Sequence, residues 1–264
     1  MPKRKRRSYK DNDGNKLPSV TELLGGLGWK YQPLLHWANK LGRQGLTLNE
    51  GGREARDIGT CAHDLIEAFV CGQSQPKREK QPTEVWEGAQ VALESFKRFW
   101  EREGMASRVE VLGAETMMVD VEQGWGGTAD LICLLDGKAT ILDYKTGKRI
   151  YAETAIQLEA YAHLWAVDGC GHDVDADEIP LPPSMIEKRK RWWAIEQTGI
   201  IHCPADGRET QIVLIPVETR GASQHIWKSL LEMQRHRKSF DAFASELKKL
   251  ESVEETTDDE KAPF

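Results

Sequence analysis

The stretch GTADLICLLDGKATILDYK, residues 127–145, constrains the fold more than any other part of the chain. Two apolar runs flank Asp136-Gly137, a dipeptide that favours a two-residue hairpin turn. Counting back from Leu135 opposite Lys138 places Asp130 opposite Asp143, with Cβ atoms roughly 4.5–5.5 Å apart. A four-residue loop keeps this register, whereas a three-residue loop shifts it by one and turns the carboxylates to opposite faces. Facing like charges destabilise a sheet, and a carboxylate inside an apolar strand is costly unless something compensates it. A divalent cation would do so, because hard ions take carboxylate oxygens and keep waters for substrate phosphates. Lys145 lies two residues past Asp143 and shares its face, while Tyr144 points to the other.

One face with Asp, Asp and Lys suits phosphodiester hydrolysis. Carboxylates fix a metal that polarises a phosphoryl oxygen and acidifies a bound water, and the ammonium orients that water or offsets transition-state charge. The same fragment also fits a surface ion pair between Asp143 and Lys145, with Asp130 a strand-end residue.

The rest of the chain places the hairpin in an α/β sheet. Residues 17–104 read as helical: Ser19 or Thr21 caps a first helix, Pro33 opens a second through LLHWANKLG, and a third spans about Glu54 to Val70. A fourth carries Trp86, Ala89, Leu93, Phe96 and Trp100 on one apolar face, most simply a core face. From Arg108 the pattern turns to strands: RVEVLGAETMMVDVE, GTADLICLLD and KATILDYK, three consecutive antiparallel strands. A helix from about Glu153 to Val167 follows. Strands near RWWAIEQTGIIHC and TQIVLIPVE, with a turn at Asp206-Gly207, precede a last helix near Ser223 to Leu250.

This order predicts one domain over residues 17–250, helical to 104 and an αβ core from 105. Residues 1–16 and 251–264 are expected to be disordered tails, one basic and one acidic, since neither holds enough apolar side chains to offset ordering. The net charge is −6, yet residues 1–10 hold six bases and no acid, and residues 251–264 six acids and one base. The body is therefore acidic, so a polyanion has to be met by a local patch. No apolar run approaches a membrane span, and MPKRKRRSYK lacks the apolar stretch of a secretory signal. A cytoplasmic protein is expected, in the host cytoplasm if phage-encoded. The five cysteines are scattered without CxxC spacing, which signals neither a disulfide framework nor a zinc ribbon. Cys170, His172, His202 and Cys203 could form a zinc site if the fold gathered them, but their spacing matches no common motif.

GTAD, LDYKTGK and QLEAY, with GTCAH upstream, resemble the motifs of the RecB-type nucleases of the PD-(D/E)xK superfamily. That group includes CRISPR-associated and phage-encoded exonucleases and the mitochondrial genome-maintenance exonuclease. LPSVTELL and LLHWANKLG also resemble the N-terminal helices of the phage group, so the likeness covers about residues 17–165. It implies a restriction-endonuclease-like core in which Asp130 and Asp143 bind Mg²⁺ or Mn²⁺, Lys145 is the catalytic lysine, and the Tyr144 backbone carbonyl is a further ligand. His63 matches the family histidine that reaches the metal from an N-terminal helix. Gly59, one turn before it, lets another backbone or the substrate come close.

Glu115 stands in the first long strand, where similar nucleases place an acid near the metal; supporting residue, ligand for a second ion and exposed acid all remain open for it. Gln157 and Tyr161 share a helix face. The family uses these positions to support the site and the DNA backbone, although Tyr161 also reads as a core aromatic. Thr146, Lys148 and Arg149, and the cluster Lys188 to Arg191, are candidates for phosphate contacts. Several relatives hold an iron–sulfur cluster with one cysteine before the histidine motif and three near the C-terminus. Here only Cys203 lies beyond residue 170, so no cluster is expected. The resulting expectation is a metal-dependent DNA exonuclease of phage or bacterial recombination, repair or processing, acting on single-stranded DNA or duplex ends, with a recombination or replication protein as a possible partner. The alternatives are an endonuclease of the same superfamily and a catalytically silent DNA-binding or assembly subunit.

Overall fold

Strands that are apolar on both sides, as around residues 129–144, need helices on each face of their sheet. The computed structural model describes residues 8–168 and 194–258, and shows that arrangement. Seven strands are described: β1 Tyr9–Lys10, β2 Lys16–Leu17, β3 Val109–Asp120, β4 Trp125–Leu135, β5 Lys138–Lys145, β6 Gln197–His202 and β7 Gln211–Leu214. The described α-helices are α1 Val20–Leu24, α2 Tyr31–Gly42, α3 Leu48–Val70, α4 Thr83–Arg102, α5 Met105–Arg108, α6 Glu153–Asp168 and α7 Val217–Asp258. The main sheet has the order β3-β4-β5-β6-β7. β5 and β6 run parallel and the other neighbours antiparallel, so the expected mixed α/β sheet with three consecutive antiparallel strands is present.

Alternation along the strands divides the core. Leu131, Cys133, Leu142, Tyr144 and Ile201 pack with α3 and α4, through Leu65, Ile66, Leu93, Phe96 and Trp100. Ile132, Ile141 and Ile200 face α1, α6 and α7, through Leu23, Leu158, Trp165, Trp227 and Leu230. Phe96 is fully buried and stacks on Trp100 at 5.3 Å between centroids; its replacement by Ala would cost about 3–5 kcal/mol. On the other face Glu159, buried in α6, accepts hydrogen bonds from Arg220 and Gln224 of α7 and from Thr198 of β6, which ties three elements at one carboxylate.

The hairpin turn is as read from the sequence. Asp136 has φ 52° and Gly137 φ 79°, the left-handed pair of a type I′ turn, and Arg108 forks onto the Asp136 carboxylate at 2.9 and 2.7 Å. The ladder then runs from Leu135 opposite Lys138 to Leu131 opposite Leu142.

Four boundaries differ from expectation. Residues 9–16, placed in a disordered tail, form with Leu17 the β1–β2 hairpin, in which Tyr9 is buried. One aromatic ring docked against glycine suffices: the Tyr9 ring lies where a Cβ on Gly126 would come within 2.6 Å of it. α3 starts six residues before Glu54, because Thr47 and Glu50 make a capping box that outweighs the Gly51-Gly52 pair inside the helix. Pro216 ends the run read as TQIVLIPVE, so β7 stops at Leu214 and α7 starts at Val217. At its other end α7 continues through residues 251–258, taken for part of the acidic tail, since no Gly or Pro interrupts the helix there. Residues 1–7 and 259–264, Cys170, His172 and the cluster Lys188 to Arg191 lie outside the described residues.

Candidate active site

The site forms where β4 and β5 stop pairing. Their ladder ends at Leu131 and Leu142, one pair short of the two aspartates. At the next step the Tyr144 amide donates to Asp130 Oδ2, 2.8 Å away. Asp130 therefore satisfies a β5 amide with its side chain at the point where the backbone ladder has ended. The expected register holds to Leu131 opposite Leu142, and the backbone pairing stops before it reaches the two aspartates.

Two other elements converge on Asp130. α3 buries Cys61, Ala62, Leu65 and Ile66, which fixes the half-buried His63 at the sheet with its Nδ1 3.4 Å from Asp130 Oδ1. The imidazole stands edge-on to the Tyr144 ring at 5.7 Å. From the other side, β3 carries a bulge between Val111 and Gly113. The pairs Ala114 with Leu131 and Thr116 with Ala129 then bracket Glu115 and Asp130. Without the extra residue Ala114 would take that place. Glu115 has φ 47°, a left-handed conformation costly for a residue with a Cβ. Ligand atoms of His63, Glu115 and Asp130 all lie within 4.8 Å of one another. Glu115, the least favoured of the expected ligands, is thus in this cluster and Asp143 is not.

Asp143 and Lys145 face α6. Lys145 Nζ lies 2.6 Å from the buried Asp143 Oδ2, which beyond that ion pair has no hydrogen-bond partner among the described residues. Lys145 also donates to Gln157 Oε1 at 3.3 Å, and Gln157 Nε2 donates to the Tyr161 hydroxyl at 2.7 Å. Gln157 and Tyr161 therefore act as a pair, reaching the lysine from α6. Tyr161 is buried, and its ring leaves no room for a Cβ on Gly127, which would meet it at 2.6 Å. The glycine of GTAD is thus a packing requirement of the tyrosine of QLEAY. Likewise a Cβ on Gly59 would approach Thr146 Oγ1 at 3.2 Å, so the close approach that Gly59 permits is to the loop after Lys145. That loop is pinned: Gly147 O accepts from His202 Nε2 at 2.7 Å, Thr146 O from the Ala205 amide and Lys148 O from Arg208. The Lys148 and Arg149 side chains are exposed.

Charge in the cluster is unequally held. Burial, together with Asp130, pushes Asp143 up to about 6 despite Lys145. Burial also works against the Asp130 carboxylate, but His63, Lys145 and the Tyr144 amide outweigh it and hold its pKa below the ordinary value. His63 is raised, since its attraction to Asp130, Asp143 and Glu115 exceeds the cost of burial. Lys145 is raised as well, by Asp143 and Asp130 against the same cost, and stays an ammonium. A buried carboxylate oxygen met by one ammonium, beside two acids and an imidazole, matches the donor set of a divalent metal centre. Cys203 offers no such donor, because burial drives its thiol to about 12.

Two groups near the lysine escaped the sequence reading. Tyr9 donates to or accepts from Thr128 Oγ1 at 2.9 Å, inside GTAD. Lys30, Tyr31 and Tyr151 line a groove that contains Lys145 and Gln157. Only the aromatic-basic run Trp29-Lys30-Tyr31 could have hinted at it.

The family model of the PD-(D/E)XK nuclease superfamily matches residues 29–263, which include His63, Glu115, Asp130, Asp143 and Lys145. The chain belongs to the PD-(D/E)XK nuclease superfamily. Among solved structures, this superfamily member is similar to one named "Putative exonuclease" from Eubacterium rectale, with 10% identity and a TM-score of 0.42, over 68% of this chain and 65% of that one. It is also similar to LHK-Exo in complex with dAMP, with 12% identity and a TM-score of 0.29, over 74% of this chain and 92% of that one. Both TM-scores lie below 0.5, so membership rests on the family model. The chain thus spans 65% of the length of the Eubacterium rectale protein. No curated protein matches the chain. Among the described residues no helix is long and apolar enough to cross a membrane.

Proposed function

We propose that this nuclease-superfamily chain is a metal-dependent DNA exonuclease, serving phage or bacterial recombination, repair or DNA processing. The observation that carries the reading is the convergence of His63, Glu115 and Asp130 within 4.8 Å, next to the Asp143–Lys145 ion pair. His63, Glu115, Asp130 and Asp143, with the Tyr144 carbonyl, would hold Mg²⁺ or Mn²⁺. Such an ion, when bound, supplies Lewis acidity to a phosphoryl oxygen and lowers the pKa of a water.

The chain's own groups then have separate tasks. The Tyr144 amide holds the Asp130 carboxylate, and His63 meets its other oxygen. Asp143 keeps Lys145 charged, and Gln157, backed by Tyr161, aims the ammonium at the reacting phosphate. There it stabilises charge that grows on the phosphate oxygens, or orients the attacking water. Thr146, Lys148 and Arg149 stand next to the lysine, where backbone phosphates would run.

Incubation of the purified chain with end-labelled single-stranded and duplex DNA, in Mg²⁺, Mn²⁺ or EDTA, tests this reading. Progressive shortening from ends with either ion, none with EDTA, and an intact closed circle are expected. Cleavage of the circle would establish an endonuclease instead. DNA binding without any cleavage would establish a silent binding subunit.

A further inference from the structure

We infer that the groove leading away from Lys145 receives the unpaired end of a DNA strand, its bases stacking on Tyr31 and Tyr151. The inference rests on the nuclease reading and names the substrate form that reading leaves open. The groove has a volume of about 600 Å³ and begins at Lys145 and Gln157, so whatever fills it is continuous with the site. Its far wall is built by separate elements: Tyr31 and Leu34 from α2, and Tyr151 from the segment before α6. These side chains are unusually open for their apolar area, Tyr31 at 62% and Tyr151 at 47% exposed.

Charge decides between apolar and nucleic-acid occupants. Lys30 Nζ sits 5.0 Å over the Tyr151 ring and 2.7 Å from the buried Glu153 Oε2, so one cation orients the ring and neutralises the acid below it. With Lys30 matched by Glu153 and Lys145 by Asp143, Arg149, exposed on the same rim, is the cation of the groove lining left for a phosphate, although the body of the chain is acidic. Aromatic faces interleaved with cations are the pattern by which single strands are held, nucleobases on rings and phosphates on the cationic side chains. A paired duplex hides its base faces against one another and cannot use the tyrosines. Unpaired nucleotides can, and the strand passing them would reach Lys145 with its phosphate backbone.

The test measures binding of the full chain in EDTA, by fluorescence anisotropy, to a labelled oligothymidine and to a labelled blunt duplex. Hydrolysis of both with Mn²⁺ is followed separately. Tyr31→Ala and Tyr151→Ala should each weaken oligothymidine binding by about tenfold, within the range that loss of one base stack brings, and leave the duplex unchanged. Tyr31→Phe, which keeps the ring, should bind as the parent does. Arg149→Ala should flatten the dependence of log K on log salt by about 0.7, the value for one phosphate on a single strand. Because both tyrosines are exposed, the variants should melt with the parent. Parental oligothymidine affinity in both tyrosine variants would overturn the inference, and so would an equal loss on blunt duplex. Binding that follows these expectations without hydrolysis would remove the nuclease reading and leave the groove. Hydrolysis with no tyrosine effect would do the reverse.

Discussion

The Tyr144 amide donates to the carboxylate of Asp130 where a backbone ladder would otherwise continue, so a side chain links β4 to β5 just past their last backbone pair. Asp130 thus has two tasks, one structural and one electrostatic, and they can be separated by substitution. Asp130→Asn keeps a carbonyl oxygen for the Tyr144 amide but removes the charge that a metal requires. It should lower metal-dependent hydrolysis by roughly 10²–10³-fold or more, in the range seen for loss of a key electrostatic group, with little change in melting temperature. Asp130→Ala should lose activity and also melt lower, by about 1–3 kcal/mol, because the amide is left unpaired. Melting curves of the two variants in EDTA check the division. Equal melting would show that the amide bond contributes nothing.

Asp143 should make the metal-free protein less stable than it could be. Its folded-state pKa is raised to about 6 by burial and by Asp130, so ionising it costs folding free energy at any pH above that value. No cost exists below the unfolded pKa, the cost grows between that value and about 6, and it is present in full above. Asp143→Asn in EDTA should therefore raise stability at pH 8 by on the order of 1–3 kcal/mol, a few degrees of melting temperature. The gain should shrink as pH falls toward 5, and hydrolysis should be lost throughout. Thermal melts of both proteins between pH 5 and 8 decide it. A variant that melts below the parent at pH 8 would falsify the account of burial.

Gly127→Ala should act on Lys145 through two intermediates. The added methyl would meet the Tyr161 ring at 2.6 Å and Leu164 at 3.0 Å, and overpacking of this kind costs about 1–3 kcal/mol. If Tyr161 yields, Gln157 loses its acceptor and Lys145 loses an orienting partner. Hydrolysis should then fall in kcat more than in KM. When Gly127→Ala is combined with Tyr161→Ala, the stability losses should be less than additive, as for coupled neighbours, and no activity should return. Simple additivity of the two melting shifts would deny the contact.

The turn, the register and the lysine's face were legible because each follows from local rules: a dipeptide, a period of two and a count of residues. The order of elements was legible for the same reason. Other features depend on tertiary contacts. Nothing in Tyr9 announces that its ring will cover Gly126. The bulge at Leu112, which puts Glu115 opposite Asp130, had one hint, Gly113 in a strand interior. The stop of the ladder one pair before Asp130 and Asp143 was not legible. Periodicity alone pointed the other way, because it assumes a ladder that continues. Tyr31 and Tyr151 lie 120 positions apart in the chain, so only the folded structure shows that they share a groove.

Glu115 offers the sharpest trial of the link between strain and function. At φ 47° it occupies a region that glycine adopts freely and other residues adopt at a cost of roughly 1–3 kcal/mol. A strand tolerates this only if the side chain's position is worth it, and here the carboxylate comes within 4.8 Å of ligand atoms on His63 and Asp130. Glu115→Gly should relieve the strain and remove a metal donor together: higher stability in EDTA by up to about 1 kcal/mol, weaker Mn²⁺ binding, slower hydrolysis. Glu115→Gln keeps the strained backbone and removes only the charge, so it should weaken Mn²⁺ binding without the gain in stability. Calorimetric Mn²⁺ titration and melting of the two variants separate backbone from ligand. If both bind Mn²⁺ as the parent does, Glu115 is no ligand, and the strain at this position serves the path of β3 alone.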